Sequence, residues 1–155
     1  RYEGESMITE DRAVEIATLA FTAQATALTP AQFEAALDDN PRFAPALAGK
    51  GIYWAMEGVT DVSEGYVELA KRYAQKGNET VLARVASMRV GLIVGHEGWL
   101  ERVAADFDEI TAVSPNNDRA LFWMGVSLIK AGKTEEGKKD LKKVIGPRTA
   151  GSGQS

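Results

Sequence analysis

The stretch SPNNDRALFWMGVSLIKAGK, residues 114–133, contains an apolar run with a single glycine, Gly125, near its middle. Pro115 and two asparagines precede the run, and Gly132 and Lys133 follow it, which are start and stop signals of a helix. A glycine inside a helix costs about 1 kcal/mol relative to alanine. Because two helices approach most closely where one of them has no Cβ atom, we expect Gly125 to mark a close contact between helices.

Apolar residues recur at helical spacing along the chain, and no stretch alternates with a period of two, so the sequence predicts an all-α protein. Proline, glycine and asparagine mark the breaks between helices. We expect about four pairs of helices with short connections. The predicted helices span residues 9–26, 30–38, 44–57, 62–76, 79–94, 99–112, 118–131 and 134–145.

The same residue types recur at fixed distances, as they do in repeat proteins. Pro115 lies ten residues before Gly125, and Pro41 lies ten residues before Gly51. Gly91 precedes Gly125 by thirty-four residues, which is the length of one repeat in a known class of helical-repeat proteins. An apolar residue follows each of the three glycines at a distance of sixteen residues. These apolar residues are Val67, Phe107 and Leu141.

This pattern resembles the tetratricopeptide (TPR) repeat, which has a glycine in its first helix, an aromatic residue in its second helix and a closing proline. In RVASMRVGLIVGHEGWLERVAADFDEITAVSP, residues 84–115, these positions hold Gly91, Phe107 and Pro115. The step from Gly51 to Gly91 is six residues longer than the step from Gly91 to Gly125, which leaves the repeat boundary open around residues 74–83. The resemblance implies a right-handed superhelix of antiparallel helix pairs.

We expect one TPR-like domain over residues 9–146, preceded by an N-terminal extension, residues 1–8. Glycine, serine and proline dominate residues 147–155 and supply no face that a core could bury. The sequence therefore predicts a flexible C-terminal tail there.

The composition argues against several classes of protein. The net charge of −4 argues against general nucleic-acid binding, which needs a basic face. The chain has no cysteine and therefore no thiolate metal site or cysteine nucleophile. No apolar run approaches the roughly 18 residues that a membrane-spanning helix needs. We expect a protein that binds no nucleic acid and does not span a membrane.

Residues with catalytic potential are few. The single histidine, His96, lies in the turn GHEG and is interpreted as solvated. Asp106 and Glu109 lie one helical turn apart, but Phe107 and Ile110 take the inward positions, so both acids are expected to face water. We therefore predict a protein that is not an enzyme, with no catalytic residue, metal ion or cofactor.

The resemblance to TPR proteins implies that a partner lies along the concave surface formed by the first helix of each repeat. At the corresponding positions this chain has apolar residues, and an exposed apolar surface of some size usually marks an interaction site. Internal filling of the groove is the alternative. The predicted groove residues are Ala48, Ile52, Ala55, Met88, Leu92, Phe122, Val126 and Ile129.

The leading hypothesis is a non-catalytic scaffold or adaptor that binds a peptide or helix of a partner protein in this groove. The alternative is a ligand-binding or transport-accessory protein that encloses a small hydrophobic molecule. Residues 118–155 hold eight basic and four acidic residues, whereas residues 1–77 hold seven and twelve, so end-to-end self-association is a further possibility.

The sequence leaves the compartment open between the cytoplasm and the periplasm. The chain begins with Arg1 rather than methionine, so we expect a further segment upstream. A signal or a lipid anchor in that segment is compatible with everything above.

Overall fold

The computed structural model describes the backbone of residues 30–75 and 77–154 and the side chains of residues 31–75 and 77–144. In these ranges the chain forms seven helices and no strand, which confirms the prediction of an all-α protein. The predicted helix 9–26 and the extension 1–8 lie outside the described residues. The helices are α1 (Pro30–Asp39), α2 (Ala44–Met56), α3 (Thr60–Tyr73), α4 (Gly77–Val94), α5 (Trp99–Val113), α6 (Asp118–Lys130) and α7 (Thr134–Gln154).

Most helix boundaries agree with the sequence prediction because the start and stop residues act locally. The Asn117 side chain accepts a hydrogen bond from the backbone N–H of Ala120 (3.1 Å) and so caps the start of α6. Gly132 follows α6 with a φ of 88°, a left-handed conformation that glycine adopts without steric cost.

The largest difference in boundaries is at the end of the chain. Helix α7 extends to Gln154, although the sequence predicts an end at residue 145. The sequence prediction ends this helix before Gly146 and Pro147 because both residue types usually break helices. In the structure the helical backbone continues through both residues. The flexibility expected of residues 147–155 stays a prediction.

Consecutive helices pack as hairpins. Helix α2 packs on α3, α4 on α5, and α6 on α7, with short turns between them. The first helix of each hairpin also packs on the first helix of the next, α2 on α4 and α4 on α6, and α1 packs on α2. The first helices therefore follow one another in a row.

Polar contacts show that corresponding helices run in the same direction. Arg102 in α5 forms an ion pair with Glu64 in α3. Further along both helices, Oδ1 of Asp106 in α5 lies 3.9 Å from Nζ of Lys71 in α3. For the first helices, the Lys130 ammonium at the end of α6 donates to the carbonyl of Leu92 near the end of α4 (2.5 Å). Successive hairpins are therefore stacked in the same orientation.

Helix α4 lies at the centre of this arrangement. It contributes Ala83, Ala86 and Val90 to a core shared with α2 and α3, and Met88 and Leu92 to a second core shared with α5, α6 and α7. Every residue from 85 to 92 is buried. A helix that is buried on both sides needs apolar residues around most of its circumference, and α4 has them.

The length of α4 explains the irregular repeat spacing. Helix α4 begins at Gly77, about four turns before Gly91, whereas α2 and α6 begin only about two turns before Gly51 and Gly125. The extra residues therefore lengthen the N-terminal part of α4, which extends beyond the starts of its neighbours. This resolves the boundary that the sequence leaves open around residues 74–83.

Two of the three repeat glycines lie directly against the second helix of their own hairpin. A Cβ atom added to Gly125 would lie 2.8 Å from Leu141 Cγ and 2.9 Å from the carbonyl oxygen of Gly137. A Cβ atom on Gly51 would lie 2.7 Å from Val67 Cγ2. These distances are too short for a contact between non-bonded atoms, so no side chain fits at either position. The two glycines therefore allow α2 to approach α3 and α6 to approach α7.

The contact at Gly91 is looser. A Cβ atom there would lie 3.3 Å from Arg102 Cδ and 3.4 Å from Val103 Cγ2, and Phe107, sixteen residues further on, is not among its three nearest contacts. The glycine makes room for the long side chain of Arg102, which crosses α4 at this point.

We expect Gly125→Ala to lower the free energy of unfolding by about 1–3 kcal/mol, because overpacking against Gly137 and Leu141 outweighs the higher helix propensity of alanine. Chemical denaturation measures the change. Gly65→Ala is the matched control: Gly65 lies inside α3 with no atom within 4 Å of its added Cβ. That variant should gain up to about 1 kcal/mol. Equal gains in both variants would contradict the close contact at Gly125.

Candidate functional site

The eight residues predicted to line a groove are mostly in the interior. Six of them are at most 9 % exposed, and Met88 and Phe122 are fully buried. Val126 and Ile129 are half-buried and pack against the larger core. The six residues of low exposure are Ala48, Ile52, Ala55, Met88, Leu92 and Phe122.

This placement corrects the expectation of an open apolar groove at these positions. The six residues of low exposure pack against neighbouring helices, so they stabilise the fold and are not accessible to a partner. The sequence shows which positions are apolar, but the packing of α2, α4 and α6 on one another decides which of them stay exposed.

Four exposed apolar residues lie elsewhere, at the end of the molecule where the first helices finish. Met56 is 45 % exposed at the end of α2, and Val59 and Val62 follow in the turn and at the start of α3. Ile93, near the end of α4, is 37 % exposed. Because α2 and α4 begin at the same end of the stack, these residues share the opposite end. We call Met56, Val59, Val62 and Ile93 the apolar turn surface.

A cavity of about 410 Å³ lies at the other end of the stack. It forms where the long N-terminal part of α4 extends past its neighbours and faces the end of α5 and the start of α6. Its lining includes Arg119 and the polar residues Asn78, Ser114 and Asn117. Gly77, Val81, Leu82 and Val113 complete the lining. The volume falls in the range of small-molecule sites, and the mixed lining suits a ligand with both polar and apolar groups.

Arg89 is the most unusual charged residue in the described part of the chain. It is 7 % exposed, its guanidinium lies over the Trp123 ring at 4.6 Å from the centroid, and its Nε–H has no hydrogen-bond partner. Burial, together with the positive charge of Arg119, lowers the pKa of Arg89 to about 10. The guanidinium is still charged at neutral pH, at a cost of about 3 kcal/mol to the folded state.

A second polar cluster joins three helices. The buried carboxylate of Asp106 in α5 accepts a hydrogen bond from Arg84 in α4 (3.1 Å) and lies near Lys71 in α3. The sequence predicts an Asp106 that faces water, but α5 turns this residue towards the preceding hairpin. Glu109 is exposed as predicted, and Asp108 is exposed as well.

Arg102 forms a parallel link one helical turn earlier in α5. It donates to Glu64 in α3 (2.5 Å) and to the hydroxyl of the fully buried Ser87 in α4 (3.3 Å). Together with the Asp106 cluster, it joins the α2–α3 hairpin to the α4–α5 hairpin. Both clusters are inter-helix contacts, and no pattern of local spacing predicts them.

The described residues offer little for metal or acid–base chemistry. They include no group of three or more potential metal ligands among histidine, aspartate and glutamate side chains. His96 is exposed in its turn, as predicted. Within the same residues, no helix combines the length and apolar character that crossing a membrane would need.

Comparisons with protein-family models, with curated proteins and with solved structures give no match for this chain. The functional argument therefore depends on the geometry of the chain itself.

We expect Asp106→Asn to lower the free energy of unfolding by about 1–3 kcal/mol, because it leaves Arg84 and Lys71 without their buried counter-charge. Asp108→Asn, on the exposed side of the same helix, is the matched control and should change stability by less than about 0.5 kcal/mol. Urea denaturation of both variants measures the difference. An Asp106→Asn variant as stable as the control would show that the cluster contributes nothing to the packing of the hairpins.

Proposed function

We propose that this chain is a TPR-like helical-repeat scaffold that binds a partner protein and carries out no catalysis itself. The observation that best supports this is the stacking of successive hairpins in one orientation, with α2, α4 and α6 in a row. Proteins built from stacked helical hairpins typically present extended surfaces to other proteins. In this reading α1 belongs to an N-terminal repeat, and the hairpins form a right-handed superhelix.

The surface that we assign to the partner is the apolar turn surface, together with Val126 and Ile129 of α6 at the edge of the core. Exposed apolar side chains in one region of a surface favour a protein contact. Burial of each such side chain contributes about 1.5–3 kcal/mol. Three or four of them can therefore support a micromolar complex after the costs of association. An amphipathic helix or an apolar peptide fits this chemistry.

The alternative, a carrier of a small hydrophobic molecule, has less support. The cavity beside Arg119 has the size that a small ligand needs, but asparagine, serine and arginine side chains take part in its lining. Three of its lining residues, Val81, Leu82 and Val113, have large apolar side chains, and the others are polar or glycine, which favours a ligand with polar groups over a wholly hydrophobic one.

A selection from a random peptide library against the purified domain tests the scaffold proposal. We expect apolar or amphipathic peptides to be enriched, and we expect Met56→Asp and Val62→Asp each to weaken their binding by about tenfold or more, the effect of losing one buried apolar contact. Both residues are exposed, so the folded state should tolerate the substitutions. Fluorescence anisotropy with a labelled peptide measures the affinity, and circular dichroism measures helix content.

Val113→Asp is the control for a charge placed on an exposed apolar residue. Val113 is 60 % exposed at the end of α5, far from the apolar turn surface. Its variant should bind the selected peptides like the unchanged protein. Peptides whose affinity is the same in all three variants would show that the partner binds elsewhere.

A further inference from the structure

The apolar turn surface is formed around two turns that lie side by side. One turn joins α2 to α3, and the other joins α4 to α5. The guanidinium of Arg102, near the start of α5, lies 2.5 Å from a carboxylate oxygen of Glu64, near the start of α3. Because α3 and α5 each begin directly after their turn, this ion pair holds the two turns next to each other. A single partner can therefore contact both.

Four exposed carboxylates lie in the same two turns as the apolar side chains. Each turn contributes two of them, four residues apart, and no ion pair engages any of the four within the described part of the chain. Residues 56–62 and 93–101 contain no lysine or arginine, and their single histidine is counted as neutral. The apolar turn surface is therefore negatively charged. The four carboxylates belong to Glu57, Asp61, Glu97 and Glu101.

The third turn at this end of the stack, between α6 and α7, does not offset this charge. It has two lysines, Lys130 and Lys133, but the first two acidic residues of α7, Glu135 and Glu136, balance them. The ammonium of Lys130 is also engaged, because it donates to the carbonyl of Leu92. The excess of negative charge is thus confined to the two turns that carry the exposed apolar residues.

We propose that the occupant of the apolar turn surface is a basic amphipathic helix of a partner protein. Its apolar face packs on the exposed apolar side chains, and lysine or arginine residues on either side of that face approach the four carboxylates. The long methylene stems of lysine and arginine also cover apolar surface while their charged ends stay in water. This inference rests on the proposed function, which assigns the same surface to a protein partner, and adds the charge of that partner.

Three designed amphipathic helices test the charge preference. They share one leucine face and carry lysine, glutamine or glutamate at the flanking positions. We expect the lysine peptide to bind the full chain most tightly and the glutamate peptide least tightly, because only the lysine peptide has a charge complementary to the surface. The advantage of the lysine peptide over the glutamine peptide should shrink as the salt concentration rises, because salt screens exposed charges. Fluorescence anisotropy with labelled peptides measures the affinities.

The double substitution Glu57→Gln with Glu97→Gln removes one carboxylate from each turn. We expect it to weaken binding of the lysine peptide by about fivefold, the effect of losing two exposed ion pairs, and to leave binding of the glutamine peptide unchanged. Asp38→Asn with Asp39→Asn is the matched control. It removes the same charge from exposed residues at the end of α1, next to the start of α2 and therefore at the opposite end of the stack. The control should leave binding of both peptides unchanged.

Two results would overturn the proposal: a glutamate peptide that binds as tightly as the lysine peptide, or equal effects of the two double substitutions. Met56→Gln separates this failure from failure of the proposed function, because it removes an exposed apolar side chain without adding charge. If the glutamine peptide binds and Met56→Gln weakens its binding, the scaffold proposal stands even where the charge preference fails. No binding of any of the three peptides would overturn both.

Discussion

The structure depends on the burial of helix α4 between two neighbouring hairpins. Residues 85–92 face α2 and α3 on one side and α5, α6 and α7 on the other, so neither core forms without this helix. Close packing within the flanking hairpins requires Gly51 and Gly125, where no side chain fits. The polar clusters around Arg102 and Asp106 then fix the orientation of the α2–α3 hairpin relative to the α4–α5 hairpin.

The sequence predicts the parts of this fold that are encoded locally. Helical periodicity and turn residues place most of the described helices close to their observed ends, with α7 as the clear exception. The spacing of Gly51, Gly91 and Gly125 predicts that the same type of contact recurs, and the structure places all three against second helices. Local signals suffice here because capping residues and glycines act within their own hairpin.

Features that arise between hairpins are not predictable in the same way. The spacing of apolar residues such as Phe122 and Leu92 along a helix is the same whether they face a neighbouring helix or an open groove. The sequence prediction therefore assigns them to a groove, although both are buried. Asp106 is buried because Lys71 and Arg84 come from two other helices. The extension of α4 also creates a cavity that depends on three helices. In each of these cases, the residues that determine burial or form the cavity come from helices that are far apart in sequence.

The two ends of the stack differ in the side chains that they expose. At one end, exposed apolar side chains suit a protein partner. At the other, Arg119 lines a cavity together with polar and apolar side chains.

Native-state hydrogen exchange of the backbone amides tests the central position of α4 most directly. If α4 is held between two hairpins, the amides of residues 85–92 exchange only through global unfolding and are the most protected in the described part of the chain. Faster exchange in α4 than in α3 or α7 would contradict this account, because it would mean that the neighbouring hairpins remain folded without it.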